Sequence, residues 1–168
     1  MDKSLNELLR DGSGAPITER AGWLRRAGEY RALIEQCMLG HAPRGERAQG
    51  EVISRREALQ GAALHEIVRI CYGPGKAYSF LAHVLRPNRA GRFPVITWNV
   101  FTTGYQCPRA QDAIARGYVI ALFDKEQLFH DERTHRCDAA LAYPGYDWGA
   151  IRIWAWGHSR LIDFLEDQ

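Results

Sequence analysis

The strongest candidate for nucleophilic chemistry in this sequence is Ser159, set in Gly157-His158-Ser159-Arg160 near the end of a chain of 168 residues. A hydroxyl attacks a carbonyl when a neighbouring base takes its proton, and six histidines are available for that role. The spacing argues against it. A serine lifted off a strand on a sharp turn is written G-x-S-x-G, because the helix that follows leaves no room for a side chain at the last position. Here that position is Leu161. In enzymes built this way the acid and the histidine follow the serine. His130 and His135 precede Ser159, and no histidine comes after it. Ser159 is read as a decoy, and no catalytic residue is assigned.

Other reactive side chains resolve into plainer roles. Lys125, Glu126, His130, Asp131, Glu132 and His135 crowd the stretch from Asp124 to Tyr146, which is long enough to be functional. Their spacing matches no H-E-x-x-H metal signature, so a solvated loop without a metal is expected. Gly73-Pro74-Gly75-Lys76 puts a lysine after glycines but lacks phosphate-loop spacing and a following helix; it reads as a hairpin turn. Cys37, Cys71, Cys107 and Cys137 stand singly without C-x-x-C spacing, as free thiols in a reducing compartment do. His65 and His83 fall inside strand-like runs and read as partly buried sheet residues. Arg25-Arg26 and Arg55-Arg56 read as solvated faces, since neither is extended or interleaved with aromatics.

The element that decides how Ser159 is held runs from Tyr143 to Leu165. Trp148, Ile151, Trp154 or Ala155, Leu161 or Ile162, and Leu165 recur at three- and four-residue intervals, which predicts a helix opened and capped by Asp147 after the Pro144-Gly145 turn. The alternative is a strand over Ile151 to Trp156 followed by a turn. The helix is favoured. Upstream, residues 1–17 are polar and glycine-containing, a flexible segment with at most a short helix around Leu5 to Leu9. Trp23, Ala27, Tyr30, Ile34 and Cys37 form a helical stripe capped by Thr18 and stopped by Gly40. His41 to Gly50 is a loop. Ala62 to Cys71 and Ala77 to Arg86 form an antiparallel hairpin. Phe93 to Val100, a short helix at Arg109 to Ala115, and Tyr118 to Phe123 then have the βαβ rhythm of a parallel sheet, with apolar runs suited to burial on both faces.

Composition sets outer bounds. A net charge of +2, 46% hydrophobic and 25% charged residues suit one soluble domain, residues 18–168, and give no electrostatic argument for nucleic acid or an acidic membrane. No run approaches the ~20 apolar residues that span a bilayer, and Met1-Asp2-Lys3-Ser4 opens no secretory signal. A cytoplasmic location is expected of the sequence as written.

One resemblance carries more than spacing does. Asp147, Trp148, Gly149, Trp154, Ala155, Trp156, Gly157, Arg160, Asp163, Phe164 and Leu165 fit a tryptophan-rich segment of the glucuronoyl esterase and acetylxylan-esterase-like α/β-hydrolases, where it forms the helix before the nucleophile strand. Arg116-Gly117-Tyr118, Gly91-Arg92-Phe93-Pro94-Val95 and Trp23-Leu24-Arg25-Arg26 resemble further segments of that family. The fold the resemblance implies is α/β: an incomplete α/β-hydrolase-type sheet, an antiparallel hairpin followed by parallel βαβ, with flanking helices. Its nucleophile elbow and C-terminal half are missing. In that family the serine of a G-x-S-R-x-G motif comes some tens of residues later. The resemblance therefore implies the front part of a serine carboxylesterase for plant cell-wall carbohydrate esters, needing no cofactor and inactive alone; such relatives are often exported.

Ligands of open α/β sheets bind at the carboxyl ends of the strands. The loop after Val100, with Asn99, Phe101, Thr102, Gly104 and Tyr105, holds the position from which this fold lends an N–H to the oxyanion hole. An ordinary surface turn is the equal alternative. Two other readings of function stay open: a minimal hydrolase using Ser159 with an upstream histidine, and a non-enzymatic partner that self-associates through strand Phe93–Val100, an apolar open edge.

Overall fold

The computed structural model describes residues 8–44, 47–100, 109–131 and 138–168. Helix α1 covers Arg20–Ile34 and passes into a π-helical turn, Glu35–Leu39, that ends at Gly40. Strands β1 (Gln49–Ala58), β2 (Ala63–Tyr72), β3 (Tyr78–Pro87) and β4 (Val95–Val100) follow, then helix α2 (Ala110–Ala115) and strand β5 (Val119–Asp124). Two helices close the chain, α3 (Asp138–Ala142) and α4 (Ala150–Glu166). The five strands form one mixed sheet in the order β1-β2-β3-β5-β4. Only β4 and β5 run parallel; the rest are antiparallel. This is the hairpin beside a βαβ unit that the hydrophobic pattern implied, with bounds shifted by a residue or two.

The two faces of the sheet carry different cores. Alternation along each strand sends Val68, Ile70, Tyr72, Phe80, Ala82, Val84, Ala121 and Phe123 to one face, under Ile153, Trp156, Leu161 and Phe164 of α4. The other face holds Ala63, Leu85, Ile120 and Leu122 against Ala110 and Ile114 of α2. Strand β5 is buried at all its positions because it lies between neighbours and between helices. Two-faced burial was expected of β4 as well, and there it fails. That strand is the sheet's edge, and Trp98 is 60% exposed.

Three other expectations are corrected. The segment His41 to Gly50 is not all loop: β1 begins at Gln49 and continues to Ala58, pairing with β2 around a bulge at Ile53. Every residue of β1 but the last is exposed, so no apolar face announced it. The apolar stripe of α1 is not a buried one, for no residue of α1 is buried, and Glu19 rather than Thr18 precedes its first turn without a side-chain cap. Its end is held instead by ions: Glu35 takes Arg152 of α4 at 2.7 Å.

Asp147 does not cap α4, whose N-cap is Gly149. Its carboxylate accepts the His41 backbone N–H at 2.8 Å and lies 3.1 Å from that residue's Nδ1. These bonds hold its pKa below the usual carboxylate value. The same seam fixes Gly40, whose φ is +69° and whose missing Cβ would lie 2.2 Å from the Asp147 carbonyl oxygen. Within the N-terminal segment, Arg10 bridges Pro16, and the Asp11 side chain accepts the Ser13 and Ala15 N–H groups. Among the described residues no helix is long and apolar enough to cross a membrane.

Candidate functional site

Because β4 and β5 are parallel, Val100 and Asp124 bring their carboxyl ends to one edge of the sheet. That is where a ligand would meet this fold. Asn99 is half-buried there, paired in register with Phe123. Phe101, Thr102, Gly104 and Tyr105, the rest of the oxyanion-loop candidates, lie outside the described residues, as do Glu132 and His135.

The segment leaving β5 is solvated only at its far end, where His130 and Asp131 are exposed. Asp124 caps a single 3-10 turn, Lys125–Gln127, by accepting the Glu126 N–H at 3.0 Å. Lys125 is 2% exposed, and its ammonium sits 3.5 Å from the centre of the Trp154 ring. Glu126 and Asp131 flank it at 3.4 and 3.5 Å, while the Trp154 indole N–H donates to the Phe129 carbonyl at 2.9 Å. His130 is engaged with Glu126, its Nδ1 2.9 Å from that carboxylate. A buried ammonium over indole is among the stronger cation–π arrangements, worth ~2 kcal/mol when desolvated. Replacing Lys125 with Ala removes that contact and its stem, so a loss of about 2–3 kcal/mol is expected in urea titration. The clamp was illegible in the sequence because Lys125 and Trp154 are distant in the chain and meet only through the strand–helix crossover.

Ser159 stands in the middle of α4, exposed, its Oγ donating to the Ala155 carbonyl at 3.5 Å within the same helix. It borders a cleft of about 300 Å³ whose lining includes Arg44, Arg152 and Arg160. Guanidiniums are always protonated and cannot accept its proton. The adjacent His158 points away, its ring edge-on to Phe123 with centroids 4.9 Å apart, and burial pushes its pKa down. Gly157 is not a turn residue either. A Cβ there would lie 2.3 Å from Leu128 Cδ1 and 3.0 Å from Phe123 Cζ, so the glycine lets α4 settle onto β5. The Gly-x-Ser likeness arises from helix–sheet packing.

His65 and His83, expected as separate sheet residues, are in contact, with His65 Nε2 and His83 Nδ1 2.9 Å apart. Arg55 and Arg56 are exposed, as expected of a solvated face, and each also reaches from β1 to β2, Arg55 to Glu66 and Arg56 to His65. Cys37 and Cys71 are free thiols; Cys107 and Cys137 lie outside the described residues.

The mixed sheet with helices on both faces is that of an α/β-hydrolase. Its likeness narrows further: the homologues of this chain are glucuronoyl esterases. A 4-O-methyl-glucuronoyl methylesterase of Podospora anserina is 27% identical over 167 residues, 96% of this chain and 32% of the relative. Another of that name from Thermothelomyces thermophilus is 27% identical over 166 residues, 96% of this chain and 38% of the relative. Among solved structures, a glucuronoyl esterase from Solibacter usitatus superposes with a TM-score of 0.80 at 25% identity, over 100% of this chain and 55% of that one. A promiscuous CE15 esterase from a marine bacterial metagenome shares the fold, with a TM-score of 0.77 at 22% identity, over 100% of this chain and 54% of its own. No family model matches. The chain thus spans about a third of the length of its curated relatives and about half that of the solved ones.

Proposed function

We propose that this chain supplies the first part of a serine carboxylesterase acting on glucuronoyl esters of plant cell-wall carbohydrate, and that it has no esterase activity by itself. The observation that carries the reading is the setting of Ser159. A hydroxyl bonded back into its own helix, beside arginines, has no base next to it among the described residues. The nucleophile of the whole enzyme would come from elsewhere, and the loop after β4 would contribute an oxyanion N–H.

The topology supports where the remaining part of such an esterase would lie. Crossovers between parallel strands are right-handed. From β4 to β5 the chain crosses through α2 on one face, and α4 lies on the other. A parallel strand reached through α4 therefore steps the opposite way across the sheet, past β4 to its open edge. Beneath the end of α4 a cavity of about 340 Å³ lies over the same face of the sheet, lined by Phe93, Val95 and Phe164 together with Glu66, Arg86 and Glu166. In the sheet described, the exposed Val95, Ile96 and Trp98 of β4 form an edge able to pair with a further strand or with a second copy.

The reading is tested by joining the chain to the remaining portion of the Solibacter usitatus esterase. Hydrolysis of a methyl glucuronate ester is expected from the fusion and not from either part alone. A folded fusion without activity would overturn the assignment. Size-exclusion chromatography of the chain alone should show association that grows with concentration and weakens in Trp98→Lys; a stable monomer at every concentration contradicts the open-edge proposal.

A further inference from the structure

Two chains of polar side chains cross β1, β2 and β3 side by side, one on each face of the sheet. On the α4 face, Glu66 of β2 accepts Arg55 Nε at 2.6 Å from β1 and Arg86 Nη2 at 3.1 Å from β3. On the opposite face the next residue of β1 and the preceding residue of β2 repeat the arrangement with imidazoles in the carboxylate's place. There Arg56 Nε donates to His65 Nδ1 at 3.2 Å, and His65 Nε2 meets His83 Nδ1 at 2.9 Å. The two imidazoles stack, with centroids 5.1 Å apart and planes 13° from parallel. His65 is 2% exposed. The register explains the meeting: His65 pairs with Leu85, which places His83 on the diagonal of the same face.

The donors fix the protons. Arg56 has no lone pair to offer, so His65 Nδ1 must be the acceptor. The proton of neutral His65 is then on Nε2, and His83 Nδ1 must accept it. With both rings neutral, this geometry holds each in one tautomer. A proton added at His65 Nδ1 would face a guanidinium, and one added at His83 Nδ1 would face the His65 N–H. Either one breaks a bond that joins strands.

We propose that Arg56, His65 and His83 form an acid-released latch that holds the exposed edge strand β1, and the hairpin behind it, to the rest of the sheet. Among the described residues, the charged group bonded to the latch favours release. Arg56 is the charged residue β1 contributes, β3 adds Leu85 beside His83, and β5 places Leu122 opposite His83. Glu66 and Arg86 are on the other face. Burial first, then His83 and Arg56, lower the His65 pKa from 6.5 to about 4; burial and then Arg56 lower that of His83. The sign follows from linkage. The unfolded or unlatched chain binds a proton at His65 from about pH 6.5, whereas the latched chain resists it until about pH 4, so stability present at neutral pH drains away across that interval. One proton taken up on release corresponds to about a tenfold loss in the latching constant per pH unit.

The test is carried out on the whole chain. NMR of the imidazole nitrogens should show His65 as the Nε2–H tautomer at pH 7.5, still neutral at pH 5.5. Hydrogen exchange corrected for intrinsic rates should show β1 amides losing protection before β5 amides as pH falls from 6.5 to 4. In His65→Gln and His83→Gln the acid slope of thermal stability should flatten by about one proton. Imidazoles that titrate independently near pH 6.5, or β1 amides as protected at pH 4.5 as at pH 7, would overturn the latch. The wild-type spectra decide the matter even should both variants fail to fold.

Discussion

Gly157→Leu is expected to abolish folding, giving a chain without near-ultraviolet circular dichroism or a cooperative urea transition. The cause is distance. The Cβ alone would lie 2.3 Å from Leu128 Cδ1 and 3.0 Å from Phe123 Cζ. Leu128 and Phe123 are both fully buried, so neither can swing out to solvent. The milder Gly157→Ala separates two effects of opposite sign. Alanine raises helix propensity by ~1 kcal/mol, while overpacking a close-packed interior costs ~1–3 kcal/mol. With the contact as short as it is, overpacking wins, and Gly157→Ala should be less stable than the parent. A more stable Gly157→Ala would show that α4 does not rest on β5 as described.

Trp156→Ala is expected to cost about 4 kcal/mol, against ~5–15 kcal/mol for the total stability of a typical domain. Trp156 is 5% exposed and meets Tyr72, Tyr143 and Trp148 edge-on at 5.1, 5.6 and 5.4 Å between centroids. Edge-to-face pairs add ~0.5–1.5 kcal/mol each beyond buried area. The cluster also joins distant parts of the chain, because the Tyr143 hydroxyl accepts the Gly73 N–H at 3.0 Å in the hairpin turn. Guanidinium titration and the tryptophan emission maximum report the loss. Trp156→Phe, which keeps a ring, should recover more than half of it.

The parts of this fold that could be read beforehand are those whose side chains alternate between water and core. The β2–β3 hairpin was visible from Tyr78, Phe80, Ala82 and Val84 and from its Gly-Pro turn, and α4 from the three- and four-residue spacing that runs from Trp148 and Ile151 to Leu165, although Ile151 is exposed and the face α4 buries is Ile153, Trp156, Leu161 and Phe164. Strand β1 gave no such signal, since Gln49-Gly50-Glu51 and Ser54-Arg55-Arg56-Glu57 put exposed residues on both sides of an edge. In α1 the error ran the other way: an apolar stripe promised burial that the fold does not provide. Asp147 was assigned to the helix beside it, but its partner, His41, lies 106 residues away, beyond the reach of any local rule.

At the site, sequence logic placed Ser159 on a helix and gave the reasons. It could not foresee that Lys125 lies under α4 or that Arg56 reaches His65 and His83, because cross-strand register and crossover packing create those contacts. The segment from Asp147 to Leu165, on which the sequence resemblance was read, holds residues tied to neighbours on several elements at once. Trp156, Gly157 and Phe164 each touch the sheet, so each is constrained by more than helix formation.

The most direct measurement is esterase activity of the purified chain toward p-nitrophenyl acetate and a methyl glucuronate ester, beside Ser159→Ala. The wild type and the variant should be indistinguishable from each other and from buffer, since the Ser159 hydroxyl is bonded into its own helix with no base beside it among the described residues. A saturable rate that vanishes in Ser159→Ala would contradict the account and make this serine a nucleophile.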